Sequence, residues 1–154
     1  MINERAERVI ERPVAEVFEF MAELSKVPDW VAGVREAHPV SGDPRTVGAK
    51  IAHVNEFMGR TFESTFEVTA WEHERLMVFE VLSGPLRGHS KETLEPLGEA
   101  STRVEIEVVG DASGPFKLLG GMAGKAARHQ LEASLDTLKS LLEQSRNDSR
   151  TPTE

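Results

Sequence analysis

Two pairs of polar residues stand at strand spacing inside otherwise apolar runs: His53 and Asn55 within Ala49 to Phe57, and Ser90 and Glu92 within Leu86 to Leu94. Successive side chains of a strand point to opposite faces. If Ala49, Ile51 and Phe57 face a core, His53 and Asn55 face it too, and the same count puts Leu86, Ser90, Glu92 and Leu94 on one face. An imidazole and a carboxyl turned into an apolar interior are candidates for acid/base work. A carboxyl buried there must be paired, raised in pKa or poised against a ligand. The bland alternative has Glu92 solvated at a sheet edge and His53 hydrogen-bonded in the core, and for catalysis the residues favour it. Binding asks for less, because a cavity with a few convergent polar groups already orients an apolar ligand.

Other reactive patterns fail on their chemistry. Gly120 to Ala126 reads G-G-M-A-G-K-A, with three residues between its outer glycines. A phosphate loop needs four, and it needs a hydroxyl after the lysine to hold magnesium, where this chain has Ala126. The five histidines, His38, His53, His73, His89 and His129, form no pair at helical i,i+3 or i,i+4 spacing. With no cysteine in the chain, thiolate ligands, thiol nucleophiles and disulfides are excluded as well. The sequence therefore predicts no metal site and no cofactor.

The elements that must position these residues follow from periodicity. Asn3 to Glu11 alternates as a first strand. Pro13 opens a helix whose Val14, Val17, Phe18 and Met21 share a face, and a second short helix spans Glu23 to Trp30, limited by Pro28. From Gly33 the period becomes two. Phe62, Ser64, Phe66, Val68 and Ala70 alternate with Thr61, Glu63, Thr65, Glu67 and Thr69, and Val104, Ile106 and Val108 alternate with charged residues; Ala49 to Phe57 and Leu76 to Leu82 are further strands. Turn residues at Ser41 to Pro44, Met58 to Arg60, Ser83 to Pro85 and Leu97 to Glu99 separate the runs. After Ser113-Gly114-Pro115, the residues Leu119, Ala123, Ala126, Ala127, Leu131, Leu135, Leu138 and Leu142 step by three or four, the stripe of a long amphipathic helix. Gly120, Gly121 and Gly124 would weaken its first turns by ~1 kcal/mol each.

That order, a strand, two short helices, about six antiparallel strands and one long helix, predicts an α+β helix-grip fold: a curved antiparallel sheet wrapped around the C-terminal helix, the only element long enough to cover the sheet's apolar face. The chain has 154 residues, 39% of them apolar, and no linker divides it. We expect one domain over residues 1–144 and a disordered polar tail over 145–154. A net charge of −8 repels phosphate backbones, so nucleic acid is not an expected partner. Met1 to Arg12 has no apolar leader region and no apolar run approaches membrane-spanning length, which predicts a cytoplasmic protein without stable membrane insertion. The oligomeric state is open.

Four stretches carry a family resemblance: Ile10-Glu11-Arg12-Pro13-Val14-Ala15-Glu16-Val17-Phe18, Val27-Pro28-Asp29-Trp30, Phe66-Glu67-Val68-Thr69-Ala70-Trp71 and Ser101-Thr102-Arg103-Val104. Together they make residues 3–143 resemble the SRPBCC or START-like superfamily, which includes the birch-pollen-allergen fold and the polyketide cyclase/dehydrase group. Leu94 resembles that family's buried leucine. The resemblance implies a cavity between sheet and helix that holds a lipid, polyketide or other mostly apolar molecule, and it brings no family-wide catalytic motif.

Three functions stay open: a module that binds a small hydrophobic molecule, a polyketide cyclase or dehydratase in which His53 or Glu92 moves protons, and a co-chaperone-like protein-interaction module. The ligand-binding candidates are His53, Asn55, Phe57, Phe66, Trp71, Ser90, Glu92, Leu119, Met122 and Ala126, with Trp30 and Trp71 at a rim. Phe62, Phe66, Val68, Val104, Ile106, Val108, Leu131, Leu135 and Leu138 are expected inside. The cavity is expected against residues 116–135 of the last helix, entered between Pro115 to Gly124 and Ser83 to Gly88.

Overall fold

The computed structural model describes residues 1–113, 117 and 120–150, with residues 145–150 described by backbone alone. Strand β1 (Ile2–Ile10) leads into helix α1 (Val14–Ala22), a 3-10 turn (Leu24–Lys26) and the one-turn helix α2 (Val27–Trp30). Six strands follow: β2 (Val34–Ser41), β3 (Lys50–Phe57), β4 (Arg60–Glu72), β5 (Leu76–Ser83), β6 (Leu86–Pro96) and β7 (Thr102–Ala112). Helix α3 (Met122–Arg150) ends the described chain. All strands pair antiparallel in one open sheet of order β1-β7-β6-β5-β4-β3-β2. From β2 to β7 consecutive strands are neighbours, and β1 pairs with β7, which leaves β1 and β2 at the two edges. This is the helix-grip architecture the element order predicts.

One half of the interior is solid. Ile10, Val17, Phe18, Val68, Leu94, Val104, Leu135 and Leu138 are almost wholly buried where α1, the sheet and the middle of α3 pack together. Polar contacts then lock α3 along β1. Arg8 Nε donates to Asp136 at 2.7 Å, Lys139 Nζ donates to the Val9 carbonyl at 2.6 Å, and Arg12 Nε donates to the Leu142 carbonyl at 2.9 Å. Each tie is a partly exposed, charge-assisted bond worth at most ~1–2 kcal/mol, and their combined effect is to set the helix's axis over the sheet.

Three local details differ from the sequence expectation. Pro13 has an extended ψ of 147° and caps α1 from outside, while Pro28 sits in the first turn of α2 and so opens that helix; a fixed φ and a missing N–H suit exactly those entry positions, where no intrahelical donor is lost. In β4 the alternation holds from Phe62 to Val68 and then inverts. The pairing steps from Val68↔Phe79 to Ala70↔Val78 with Thr69 left over, and this bulge turns Ala70 off the core face and Trp71 onto it. At the far end, α3 keeps helical backbone through Arg150; residues 151–154 lie outside the described residues.

The other half of the interior is hollow, and glycine shapes the sheet beside it. Gly88 and Gly110 are directly paired across β6 and β7. A Cβ on Gly88 would come within 1.9 Å of the Val109 carbonyl oxygen, and one on Gly110 within 2.2 Å of the Arg87 oxygen. Only glycine lets the two backbones approach this closely. No helix among the described residues is long and apolar enough to cross a membrane.

Candidate functional site

The hollow is a cavity of about 350 Å³ between the concave sheet and the N-terminal half of α3, within the ~300–1,000 Å³ range of small-molecule sites. Helix α3 contributes Ala123, Ala126, Ala127, Gln130, Leu131 and Ser134. These follow two ladders at i,i+4 spacing, 123-127-131 and 126-130-134, and the alanines hold the helix over the sheet without filling the space beneath. From Leu135 onward the same helix presents leucines to the solid core. The transition from alanine to leucine along one stripe thus divides the interior into a hollow and a packed half.

The sheet supplies the rest of the wall. On β3, Ile51, His53, Asn55 and Phe57 all line the cavity. Asn55 Nδ2 donates to Ser64 Oγ at 3.1 Å, and the Phe62 carbonyl lies 3.4 Å away, so this amide is held by β4. The His53 ring packs on Phe66, with centroids 4.8 Å apart. Burial, with His38 as a smaller contributor, lowers the His53 pKa to about 4, so the imidazole is neutral at pH 7. Trp71 lines the wall and is fixed edge-to-face by the buried Phe18 at 5.6 Å.

Glu92 occupies the far end of the wall. Its strand, β6, lines the cavity through Leu86, His89, Ser90 and Glu92, whereas Leu94 belongs to the solid core. Glu92 is therefore the last cavity residue on its strand. Its register neighbours are Met77 on β5 and Ile106 on β7, both apolar, and no hydrogen-bond or ion-pair partner for it lies among the described residues. The side chain's partial accessibility is accessibility to the cavity. Desolvation raises its pKa to about 8, so at pH 7 it is mostly the neutral acid, a hydrogen-bond donor.

His53 and Glu92 do not form a dyad. His53 pairs with Ser64 on β4, whereas Glu92 pairs with Met77, which pairs with Trp71 on β4. Ser64 to Trp71 is ~23 Å of strand at ~3.3 Å per residue, and β3 lies three strand spacings from β6. Proton transfer between the two would need intervening groups.

Of the residues that the sequence singled out, the structure brings His53, Asn55, Phe57, Phe66, Trp71, Ser90, Glu92 and Ala126 to one cavity. Met122, the first residue of α3 and one turn before Ala126, is 70% exposed and is not on the wall. Leu119 and the Pro115 to Leu119 part of the expected entrance lie outside the described residues, apart from Lys117. Gly120 and Gly121 precede α3 instead of sitting within it, and a Cβ on Gly120, Gly121 or Gly124 would meet nothing among the described residues. Sequence reasoning missed His89, Gln130 and Ser134 as wall residues. The signal for the last two was available in their spacing of four from Ala126.

Trp30 also lines the cavity, and its indole Nε1 is buried without a hydrogen-bond partner among the described residues. An unmet buried donor costs ~1–3 kcal/mol. No group of His, Asp or Glu among the described residues has the arrangement of a metal site.

A family model described as "Polyketide cyclase / dehydrase and lipid transport" matches residues 1–143. No curated protein matches the chain. Among solved structures, a START superfamily protein from Mycobacterium smegmatis superimposes with a TM-score of 0.79 at 15% identity, covering 92% of this chain and 97% of that one. A Thermus thermophilus protein gives 0.78 at 21% identity, covering 93% and 98%. The di-domain ARO/CYC BexL from the BE-7585A biosynthetic pathway gives 0.74 at 19% identity, covering 93% of this chain and 47% of that one. The chain thus spans about half of that two-domain protein, and at these identities the likeness is one of fold.

Proposed function

The chain belongs to the polyketide cyclase/dehydrase and lipid transport family, and we propose on that premise that it encloses a small, mostly apolar metabolite between its sheet and α3. The observation that carries this reading is a ligand-sized cavity whose wall is mostly apolar, with a few polar groups, one of them the Glu92 carboxyl, which has no hydrogen-bond or ion-pair partner among the described residues. Filling the space would be the cheaper way to build a stable core, since each cavity methyl-sized or larger costs ~1 kcal/mol. A hollow half beside a tightly packed half is therefore a functional feature.

A second reading, cyclisation or dehydration of a poly-β-keto chain, draws support from one feature. His53 is neutral, hence a base, and Glu92 is protonated, hence an acid, a division of roles set by environment. Their separation means each would act on a different part of a long substrate, with the wall supplying the folded conformation. A protein-interaction role finds less support, because the large exposed apolar side chains, among them Val40, Val47, Met58, Leu82 and Leu97, are scattered over different segments.

Native mass spectrometry of the chain purified from its own host tests the binding reading. The expected spectrum holds the chain plus a small molecule that is released on denaturation. Bare chain throughout, together with no uptake of any apolar probe, overturns it.

A further inference from the structure

The cavity wall offers donors and acceptors but no positive charge: neither lysine nor arginine occurs among its described residues. Its titratable members are His53, Glu56, His89 and Glu92. Glu56 is paired with Arg35 on the rim side. Glu92 lies at the closed end, faced by Met77 from β5, Ile106 from β7 and Trp71 from β4, while α3 turns only uncharged residues to the cavity, Gln130 and Ser134 being the polar ones. No charged or hydrogen-bonding partner for the carboxyl lies among the described residues, and α1, which also packs on β6, turns only Met21 and Ala22 to the cavity.

We infer that the occupant is an uncharged amphiphile whose buried end carries a carbonyl or ether oxygen, that this oxygen accepts a hydrogen bond from the Glu92 carboxyl, and that free fatty acids are rejected. The inference rests on the cavity-binding reading above. A fatty-acid carboxylate turned inward would lose its hydration and find no cation, and turned outward it would leave Glu92 facing hydrocarbon. An amine would require two buried ions at the closed end, each desolvated. A ketone, lactone or ether meets the acid form at no cost in charge, and the raised proton affinity of Glu92 keeps that form present at neutral pH.

Trp30 and Trp71 are the chain's two tryptophans and both line the cavity, so intrinsic fluorescence reports occupancy. Full-length chain is titrated at neutral pH with four probes of matched chain length: decane, methyl octyl ketone, decanoate and decylamine. The ketone is expected to bind ~5-fold tighter than decane, the worth of one net hydrogen bond, and at least ~10-fold tighter than decanoate or decylamine. Glu92→Leu should bring the ketone down to the level of decane while decane itself still binds, which also shows that the variant is folded. Glu92→Gln, which still donates from its amide, should keep the preference. Decanoate or decylamine binding as well as the ketone overturns the inference, and so does an unchanged ketone-to-decane ratio in Glu92→Leu. If no probe binds, decane included, the cavity-binding reading itself fails and the assignment of Glu92 falls with it.

Discussion

Replacing Glu92 by glutamine should stabilise the ligand-free protein, and by an amount that grows with pH. The carboxyl moves from an ordinary value of 4.5 to about 8 on folding, with desolvation as the cause. Between those values the folded state holds a proton that the unfolded state has released, so stability falls as pH rises through this window and levels off above it. At ~1.36 kcal/mol per tenfold change in proton affinity, the ceiling on this loss is about 0.8 kcal/mol near pH 5, about 3.4 near pH 7 and about 4.7 above pH 9. Water entering the cavity hydrates the carboxylate and lowers each figure, leaving roughly 2 kcal/mol as the expected gain of Glu92→Gln near pH 8. The assay is urea unfolding of both proteins across this range. Subtracting the two curves cancels every other titrating group. Near-parity at about pH 5 and a difference widening to about pH 8 is the expected pattern. A difference that is zero at every pH, or constant with pH, would refute the placement of Glu92 in a desolvated wall.

The buried imidazole gives a complementary titration: His53 should stay neutral down to about pH 4 in a two-dimensional NMR titration, and a midpoint in the ordinary histidine range would mean that it is solvated. Gly84→Ala places a Cβ within 2.6 Å of Ser64 Oγ at a residue with φ of 138°, so it should cost ~1–3 kcal/mol in urea unfolding and shift the Asn55 side-chain amide resonances through the Asn55–Ser64 bond. Ala127→Leu fills the hollow from the α3 side; decane uptake should fall at least ~10-fold while the melting temperature holds or rises, and undiminished uptake would show that the occupied space lies elsewhere. Leu135→Ala, in the solid half, should cost ~2–5 kcal/mol, and a loss below ~1 kcal/mol would mean that this half is not packed as described.

The order of elements was legible in the sequence because each was written at its own period: two for Phe62 to Val68 and Val104 to Val108, three to four for Leu131 to Leu142. An antiparallel sheet with one apolar face and one long amphipathic helix has few ways to bury both, so fold class followed from pattern alone. The inward phase of His53 and Asn55 was likewise legible, since nothing interrupts the alternation of β3 between Ile51 and Phe57. What periodicity cannot see is an extra residue. The bulge at Thr69 inverted the phase at Ala70 and Trp71, and no residue type announces it. Nor could the strand pattern decide between a solvated and a desolvated Glu92. That depended on β6 lying in the middle of the sheet between β5 and β7, which places the carboxyl between Met77 and Ile106, far apart in sequence. Desolvation is a property of everything around a group, and only the assembled sheet and the seated helix supply those surroundings. Which residues could face inward was written in the alternation of β3; that three alanines of α3 stand over them and leave the space open came only from how the helix seats on the sheet.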